Sequence, residues 1–241
     1  MRLAMMQPYF FPYIGYFQLL HAADMFVVAD AVQYMQGGWI ARNRIAGPKG
    51  WRYISVPVAA RAVSARIGHV QLAAPTRWRR DLLATLASYR RAPFYDETIG
   101  CLETLLGGCD APGIAAVNTH ILRGLAHELG LSCRILVQSE LGLDYAGVQA
   151  PGDWAAVTAA GLRAGTYINP VNGAAFHHAA PFQRAGCALL FLRPHGLVYE
   201  QNQPFEPRLS IIDVLMAHGI AGTRPLLAQY DLLRPEDVAA A

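Results

Sequence analysis

Apolar residues in this chain fall in short blocks set apart by proline, glycine and polar residues, and the blocks alternate between two periods. Arg2–Met6 is apolar after its first residue and fits a strand. Gly15–Ala23 reads as a helix that stops before Asp24, and Met25–Ala29 as a strand buried on both faces. Two strand-like runs, residues 39–45 and 51–58, flank Ala46-Gly47-Pro48-Lys49-Gly50 and predict a β-hairpin. Strict alternation puts Arg42 and Arg44 on one face of its first strand and Trp39, Ala41, Asn43 and Ile45 on the other. Residues 76–130 turn helical, with segments over 79–89, 97–106 and 113–129, the last closed by Gly130 as a C-cap. Strands are then expected at 133–138, 166–168 and 187–192, with helices at 153–164, 174–184 and 210–218. This alternation predicts an α/β fold: a mostly parallel sheet with helices on both faces, a β-hairpin near residues 39–58 and a helical insertion at 76–130, in one domain over residues 1–241.

The stretch Gln7-Pro8-Tyr9-Phe10-Phe11-Pro12-Tyr13-Ile14-Gly15-Tyr16-Phe17 is aromatic, proline or glycine except at Gln7 and Ile14. Two prolines remove two backbone donors and fix two backbone angles, so the segment between the first strand and the first helix must be a rigid loop. Residues 3–20 carry no charge. Gln7, Pro8, Pro12 and Gly15 nevertheless interrupt them too often for a signal sequence or a membrane span, and a cytoplasmic protein is expected.

Composition adds one point. Hydrophobic residues make up 54% of the 241 and charged residues 15%, against about 25% charged in ordinary soluble domains. Apolar surface is therefore expected to remain outside, as a self-association interface or a protein contact. The net charge of +3 is mild, and the cations are nineteen arginines and Lys49. They form no dense stripe of the kind that tracks nucleic acid. Cys101, Cys109, Cys133 and Cys187 lack C-x-x-C spacing and read as reduced core residues; no histidine or cysteine set has metal-ligand spacing.

Candidate chemistry gathers where the strands end. Gln7 follows the first strand, Asp30 the second, Ser139 the strand near 133–138, and Asn169 the strand near 166–168. In a parallel sheet all four reach one crevice outside the carboxyl edge. Each alone is explained as a turn former bonding its own backbone. Tyr13-Ile14-Gly15-Tyr16 has the spacing of the H-x-G-H motif of nucleotidylyltransferases and class I aminoacyl-tRNA synthetases, where the glycine admits nucleotide near a helix N-terminus. Tyrosine supplies no cationic donor at neutral pH, so the pattern points to a ligand-binding loop more than to nucleotidyl transfer. Arg42, Arg44 and Arg52 are candidate phosphate clasps or a solvated hairpin face. Ser210-Ile211-Ile212-Asp213 reads as a helix N-cap with an acidic third position. G-x-S-x-G, P-loop and G-x-G-x-x-G patterns do not occur, which counts against common hydrolases, NTPases and Rossmann dehydrogenases.

Several longer motifs carry a family resemblance: Gln7 through Phe17; Asp30-Ala31-Val32-Gln33-Tyr34; Gly38-Trp39-Ile40; Arg42-Asn43-Arg44-Ile45; Tyr167-Ile168-Asn169-Pro170; Tyr199 with Gln201; and Phe205-Glu206-Pro207-Arg208-Leu209-Ser210-Ile211-Ile212-Asp213. Along nearly its whole length the chain resembles the WbqC-like family. The resemblance implies a setting in surface-polysaccharide or related biosynthesis, and a glycine or acyl transferase acting on an amino sugar. The sequence departs from the family pattern where two lysines become Gln36 and Gly37, an asparagine becomes Ala41, Gly-Gly becomes Asn172-Gly173 and Tyr-Asp becomes His177-His178. These changes weaken anion binding at one loop, add a group titrating near neutrality and leave the identity of the substrate open.

Three function classes follow. The first is transfer of an aminoacyl or acyl group to an amine of a nucleotide-linked amino sugar or similar small metabolite, with aminoacyl-tRNA or another activated acyl compound as donor. Such a reaction needs a base, oxyanion donors and a phosphate anchor. Asp30 or His178 is the expected base, Asn169 and Gln7 the orienting donors, and Arg42 and Arg44 the anchors. Tyr13, Tyr16, Gln33, Tyr34, Asn43, Ser139, Tyr167, Asn172, Gly173 and Gln201 complete the expected binding surface; no metal is expected and no cofactor is identified. The second class is ATP-dependent ligation or nucleotidyl transfer. The third is a non-catalytic binding or scaffold protein of a biosynthetic pathway.

Overall fold

The computed structural model describes residues 1–59, 65–74, 77–201 and 204–238. Its main sheet contains β1 (Arg2–Met6), β2 (Met25–Val28), β5 (Arg134–Val137), β6 (Thr166–Pro170), β7 (Ala188–Pro194) and β8 (Tyr230–Leu233), in the order β5-β2-β1-β6-β7-β8. Every neighbouring pair is parallel except β7 with β8. The hairpin, β3 (Arg42–Gly47) and β4 (Gly50–Ser55), forms a separate two-stranded sheet. Burial along β3 alternates as the sequence predicts, Asn43 and Ile45 inward and Arg42 and Arg44 half-exposed. Trp39 departs from that pattern because it lies in the turn before β3, where it shares the arginine side.

The helices cover both faces. On one side, α1 (Ile14–Ala22), α2 (Arg77–Leu86), α4 (Ile114–Glu128) and α7 (Ile211–Thr223) share a continuous apolar core with Ala4, Phe26, Val28, Ile168 and Leu192 of the sheet; α3 (Tyr95–Gly107) joins it through Leu102 and Leu106. On the other, α5 (Asp153–Gly161) and α6 (Ala179–Arg184) cover Leu3, Met5, Val27, Tyr167, Leu189 and Phe191. Successive strand residues thus point into opposite cores, the period-two signature of a sheet buried on both faces. A short α8 (Pro235–Val238) follows β8.

Helix α1 explains the uncharged N-terminal stretch. All its residues but His21 are buried, and Gln18 Nε2 donates to the carbonyls of Leu226 and Gln229, each at 3.0 Å. The stretch is a strand, a loop and a core helix. Among the described residues, one segment, Ile211–Ala228, is long and apolar enough to span a membrane by length and composition. Gly219, at φ 64° and ψ −178°, breaks its helical path.

Two elements differ from expectation. The expected helix at 174–184 is a tight turn over Val171–Phe176 followed by α6. Pro181 is the reason: in a helix begun at 174 it would sit in the interior without an N–H, whereas in α6 it falls in the first turn, where none is needed. The antiparallel strand β8 carries too few residues to register as a periodic run. Residue 76, the start of the expected insertion, lies outside the described residues.

The register fixes where a ligand fits. Met6, Val28 and Val137 stand level at the carboxyl ends of β1, β2 and β5. The chain runs from β1 outward through β2 to β5, then returns to the other flank for β6, β7 and β8. Strand order therefore reverses between β1 and β6. The loops leaving these two strands diverge and open a crevice, the position at which open α/β sheets take their ligands.

Candidate functional site

The loop leaving β1 is rigid, and its carbonyls show how. Gln7 O accepts the Tyr16 hydroxyl at 2.8 Å, and Pro8 O accepts Asn118 Nδ2 at 2.7 Å. Asn43 Nδ2 donates to Phe10 O at 3.0 Å and Phe11 O at 2.9 Å, while Ser210 Oγ donates to Phe11 O at 2.7 Å and Ile211 N to Pro12 O at 2.8 Å. Phe11 is held at φ 42°, a left-handed conformation that a bulky residue keeps only under such constraint. The prolines strip donors from the loop, and distant side chains satisfy the acceptors left behind.

This loop forms one wall of a cavity of about 370 Å³ at the switch point between β1 and β6. Met6 and Pro170 come from the two strand ends, and Tyr9 and Tyr13 from the rigid loop. Trp39, Asn43 and Arg44 come from the hairpin and its approach, Asn169, Asn172 and Gly173 from the exit of β6, and Arg208 from the segment before α7. Gly173 is needed there: a Cβ would stand 2.2 Å from Asn169 Nδ2.

The charges in this crevice are positive. The Arg44 guanidinium carbon lies 5.6 Å from the Trp39 ring centre and 5.3 Å from that of Trp51, and Glu206 pairs with it at 3.4 Å. Two aromatic faces fix the direction of this cation. Arg208, exposed and at φ 58°, has no ion pair among the described residues. Burial pushes the Tyr13 phenol above its ordinary pKa while Arg208 pulls it back; burial and then Tyr13 push Tyr9 up. Both phenols stay protonated at neutral pH and can donate to an anion or a sugar oxygen.

The Tyr13 ring also settles what Gly15 is for. A Cβ on Gly15 would lie 2.4 Å from Cε2 of Tyr13. The glycine therefore admits the protein's own tyrosine, and Tyr16 is buried in the core beside Phe26. The likeness to H-x-G-H stops at spacing, because no open backbone is left there for a nucleotide. Gly15→Ala is expected to turn the Tyr13 ring away and weaken ligand binding about tenfold with little change in melting temperature, as titration and thermal denaturation on one sample would show.

Six of the expected residues meet in this crevice: Tyr13, Asn43, Arg44, Asn169, Asn172 and Gly173. The others do not line it. Gln7 anchors Tyr16 through its carbonyl. Asp30 and Ser139 do stand on the same carboxyl edge, but they engage each other: Asp30 Oδ1 accepts Ser139 N at 2.9 Å and Oδ2 accepts Ser139 Oγ at 2.6 Å. Gly68 closes over them, since a Cβ there would lie 2.9 Å from Asp30 Oδ2. The rim is therefore assembled at the strand ends but divides into two groups. Arg42 lies over the Tyr53 ring at 4.2 Å and donates to Gly37 O. Tyr34 is core, and Gln33 bridges to Arg66.

Tyr167 is buried and stacks on His177 and Phe182; its hydroxyl donates to Asn169 Oδ1 at 3.2 Å and so positions a crevice residue. His178 sits at the N-cap of α6 and faces a separate hollow with Phe176 and Pro181. Gln201 Nε2 donates to Glu206 O and Asp213 Oδ2, both at 3.1 Å.

Sequence reasoning missed Tyr9, Trp39 and Arg208 as lining residues, although each lies within a quoted motif. It also read Asp213 only as the acidic third position after a helix N-cap. Ser210 does cap α7, accepting Ile212 N at 3.3 Å. Asp213, however, is buried and accepts hydroxyls from Tyr89 and Tyr199. Burial holds its pKa above the ordinary 3.8, and the hydrogen bonds offset this only in part. The folded state therefore binds the proton more tightly than the unfolded chain. Wild type should lose stability relative to Asp213→Asn as pH rises from about 4 through the folded pKa; denaturant titrations across that range check the sign. Among the described residues, no group of three or more His, Cys, Asp or Glu is placed to hold a metal ion.

Among known proteins, the chain is similar to the uncharacterized protein Rv1507c of Mycobacterium tuberculosis, 27% identical over 135 residues. That match covers 56% of this chain and 58% of the relative. No solved structure matches significantly. The model of the WbqC-like protein family matches residues 7–225, which takes in the loop, the hairpin, the β6 exit and the strand-to-α7 segment that together build the crevice. The chain belongs to the WbqC-like protein family.

Proposed function

We propose that the switch-point crevice binds a small anionic metabolite carrying a ring, of the class of nucleotide-linked amino sugars, and that the protein transfers an acyl or aminoacyl group to an amine of that metabolite. One observation carries the binding half: Arg44 and Arg208 face the same cavity as the tyrosines Tyr9 and Tyr13. Guanidinium forks grip phosphate or carboxylate, and aromatic faces take a sugar or base. The transfer half rests on the family resemblance. The amine nitrogen bonds to the acyl carbon, the carbonyl electrons move to oxygen, and collapse expels the activating group while the amine gives its proton to solvent. Guanidinium and amide donors of the crevice suit the oxyanion formed on the way. We place the reaction in the cytoplasm with aminoacyl-tRNA or another activated acyl compound as donor.

A second reading is favoured by a specific feature of the lining. Among the described residues it contains no carboxylate or imidazole, and the expected bases Asp30 and His178 lie elsewhere. A protein that holds the metabolite without transforming it needs no base. Mass spectrometry separates the two: purified protein with UDP- or dTDP-amino sugars and glycyl-tRNA or acyl thioesters should give an acyl mass gain on the sugar. Binding without any mass gain across the donors selects the second reading.

A further inference from the structure

A second cavity, about 680 Å³, opens between the β3–β4 turn, the Ser88–Pro93 segment and α7. It shares no lining residue with the crevice. Asp213 stands in its wall and is 3% exposed. Its Oδ1 accepts the Tyr89 hydroxyl; its Oδ2 accepts the Tyr199 hydroxyl at 2.5 Å and Gln201 Nε2 at 3.1 Å. Tyr89 is fixed in turn by Ala46 N at 2.8 Å.

All three donors to Asp213 are neutral. Arg91 and His218 also line the cavity, yet among the described residues no cation pairs with Asp213. A buried carboxylate without a counter-charge either keeps its proton or takes a cation from outside, and the space beside Asp213 leaves room for the second. Three features say what fits. Ala46, Pro48, Ala92 and Met216 offer apolar surface for a hydrocarbon body. Tyr199 adds an aromatic side chain to the lining. His218 is neutral at physiological pH, since burial lowers its pKa, and so does not repel a cation.

We propose that this cavity binds an organic cation, a primary ammonium on a short hydrocarbon body, with Asp213 as its counter-charge. The site is independent of the crevice and of whatever reaction occurs there.

The probe is n-butylammonium chloride, with n-butanol and sodium butyrate as matched controls of the same chain length. Wild-type protein should bind the amine in a calorimetric titration and melt about 5–10 °C higher when the amine stands 100-fold above its Kd; the controls should do neither. Asp213→Asn keeps the shape of the side chain and removes its charge, and should lose at least about tenfold in affinity. Ala217→Leu fills the cavity and leaves the Asp213 carboxylate in the chain, so it tests the site even if Asp213→Asn fails to fold. Absence of binding by wild type, an equal shift from n-butanol, or undiminished binding by either folded variant overturns the proposal.

Discussion

Replacing Asn43 by alanine should lower the stability of the protein by about 3 kcal/mol, a larger loss than any exposed substitution would give. Asn43 is 4% exposed and serves three backbone groups at once. Its Nδ2 holds Phe10 O and Phe11 O, and its Oδ1 accepts Arg44 N at 2.8 Å. Alanine leaves Phe10 O and Arg44 N without these partners, and each buried polar group left unmade costs about 1–3 kcal/mol. Phe11 O keeps Ser210, which limits the total. Asn43→Asp should be at least as damaging, because a carboxylate oxygen would then face two carbonyl oxygens. In a chain of this size the alanine variant should melt roughly 6–12 °C lower, and urea titration gives the free energy directly. A loss below about 1 kcal/mol would mean that the prolines alone make the loop rigid.

The second large effect belongs to the two arginines of the crevice. Arg208→Ala removes an exposed cation that has no ion pair among the described residues, so stability should barely change while affinity for a phosphate-bearing ligand drops. Charge-assisted hydrogen bonds are worth about 1.5–3 kcal/mol, which predicts a loss of roughly 10- to 150-fold. Arg44→Ala should weaken binding by a comparable factor and also lower stability by about 1 kcal/mol, because it strips Glu206 of its partner and leaves Trp39 and Trp51 without the guanidinium near them. The contrast between the two variants is itself informative. If both lost stability and neither lost affinity, the arginines would be fasteners of the hairpin and not ligand anchors.

Much of the architecture was readable because it follows from local patterns. Short apolar runs mark the parallel strands, and Gln7, Asp30, Ser139 and Asn169 mark their ends, so the carboxyl edge is legible in the chain. The rigid loop followed from two prolines alone. What stayed hidden depends on partners far apart in the chain. Nothing near Asp213 announces Tyr89, 124 positions away, and a Ser-x-x-Asp pattern looks the same whether its acid meets solvent or a buried phenol. Asp30 and Ser139 stand at the carboxyl edge, but their mutual hydrogen bonds, which set them apart from the crevice lining, depend on how β2 and β5 pair. The spacing around Gly15 pointed to a ligand-binding loop; only the rotamer of Tyr13 shows that the space over the glycine is already filled. Arg208 lay inside a quoted motif without any feature that marks it as a lining residue, since its position follows from the path of the segment leading into α7.

The crevice between the ends of β1 and β6 is the proposed place of metabolite binding. The direct measurement is a calorimetric titration of a UDP-amino sugar into wild-type protein and into the doubly substituted Arg44→Met, Arg208→Met variant, both shown to be folded. Saturable heat from the wild type and none from the double variant is the predicted result. Equal binding by the two proteins would contradict it and move the ligand elsewhere on the molecule.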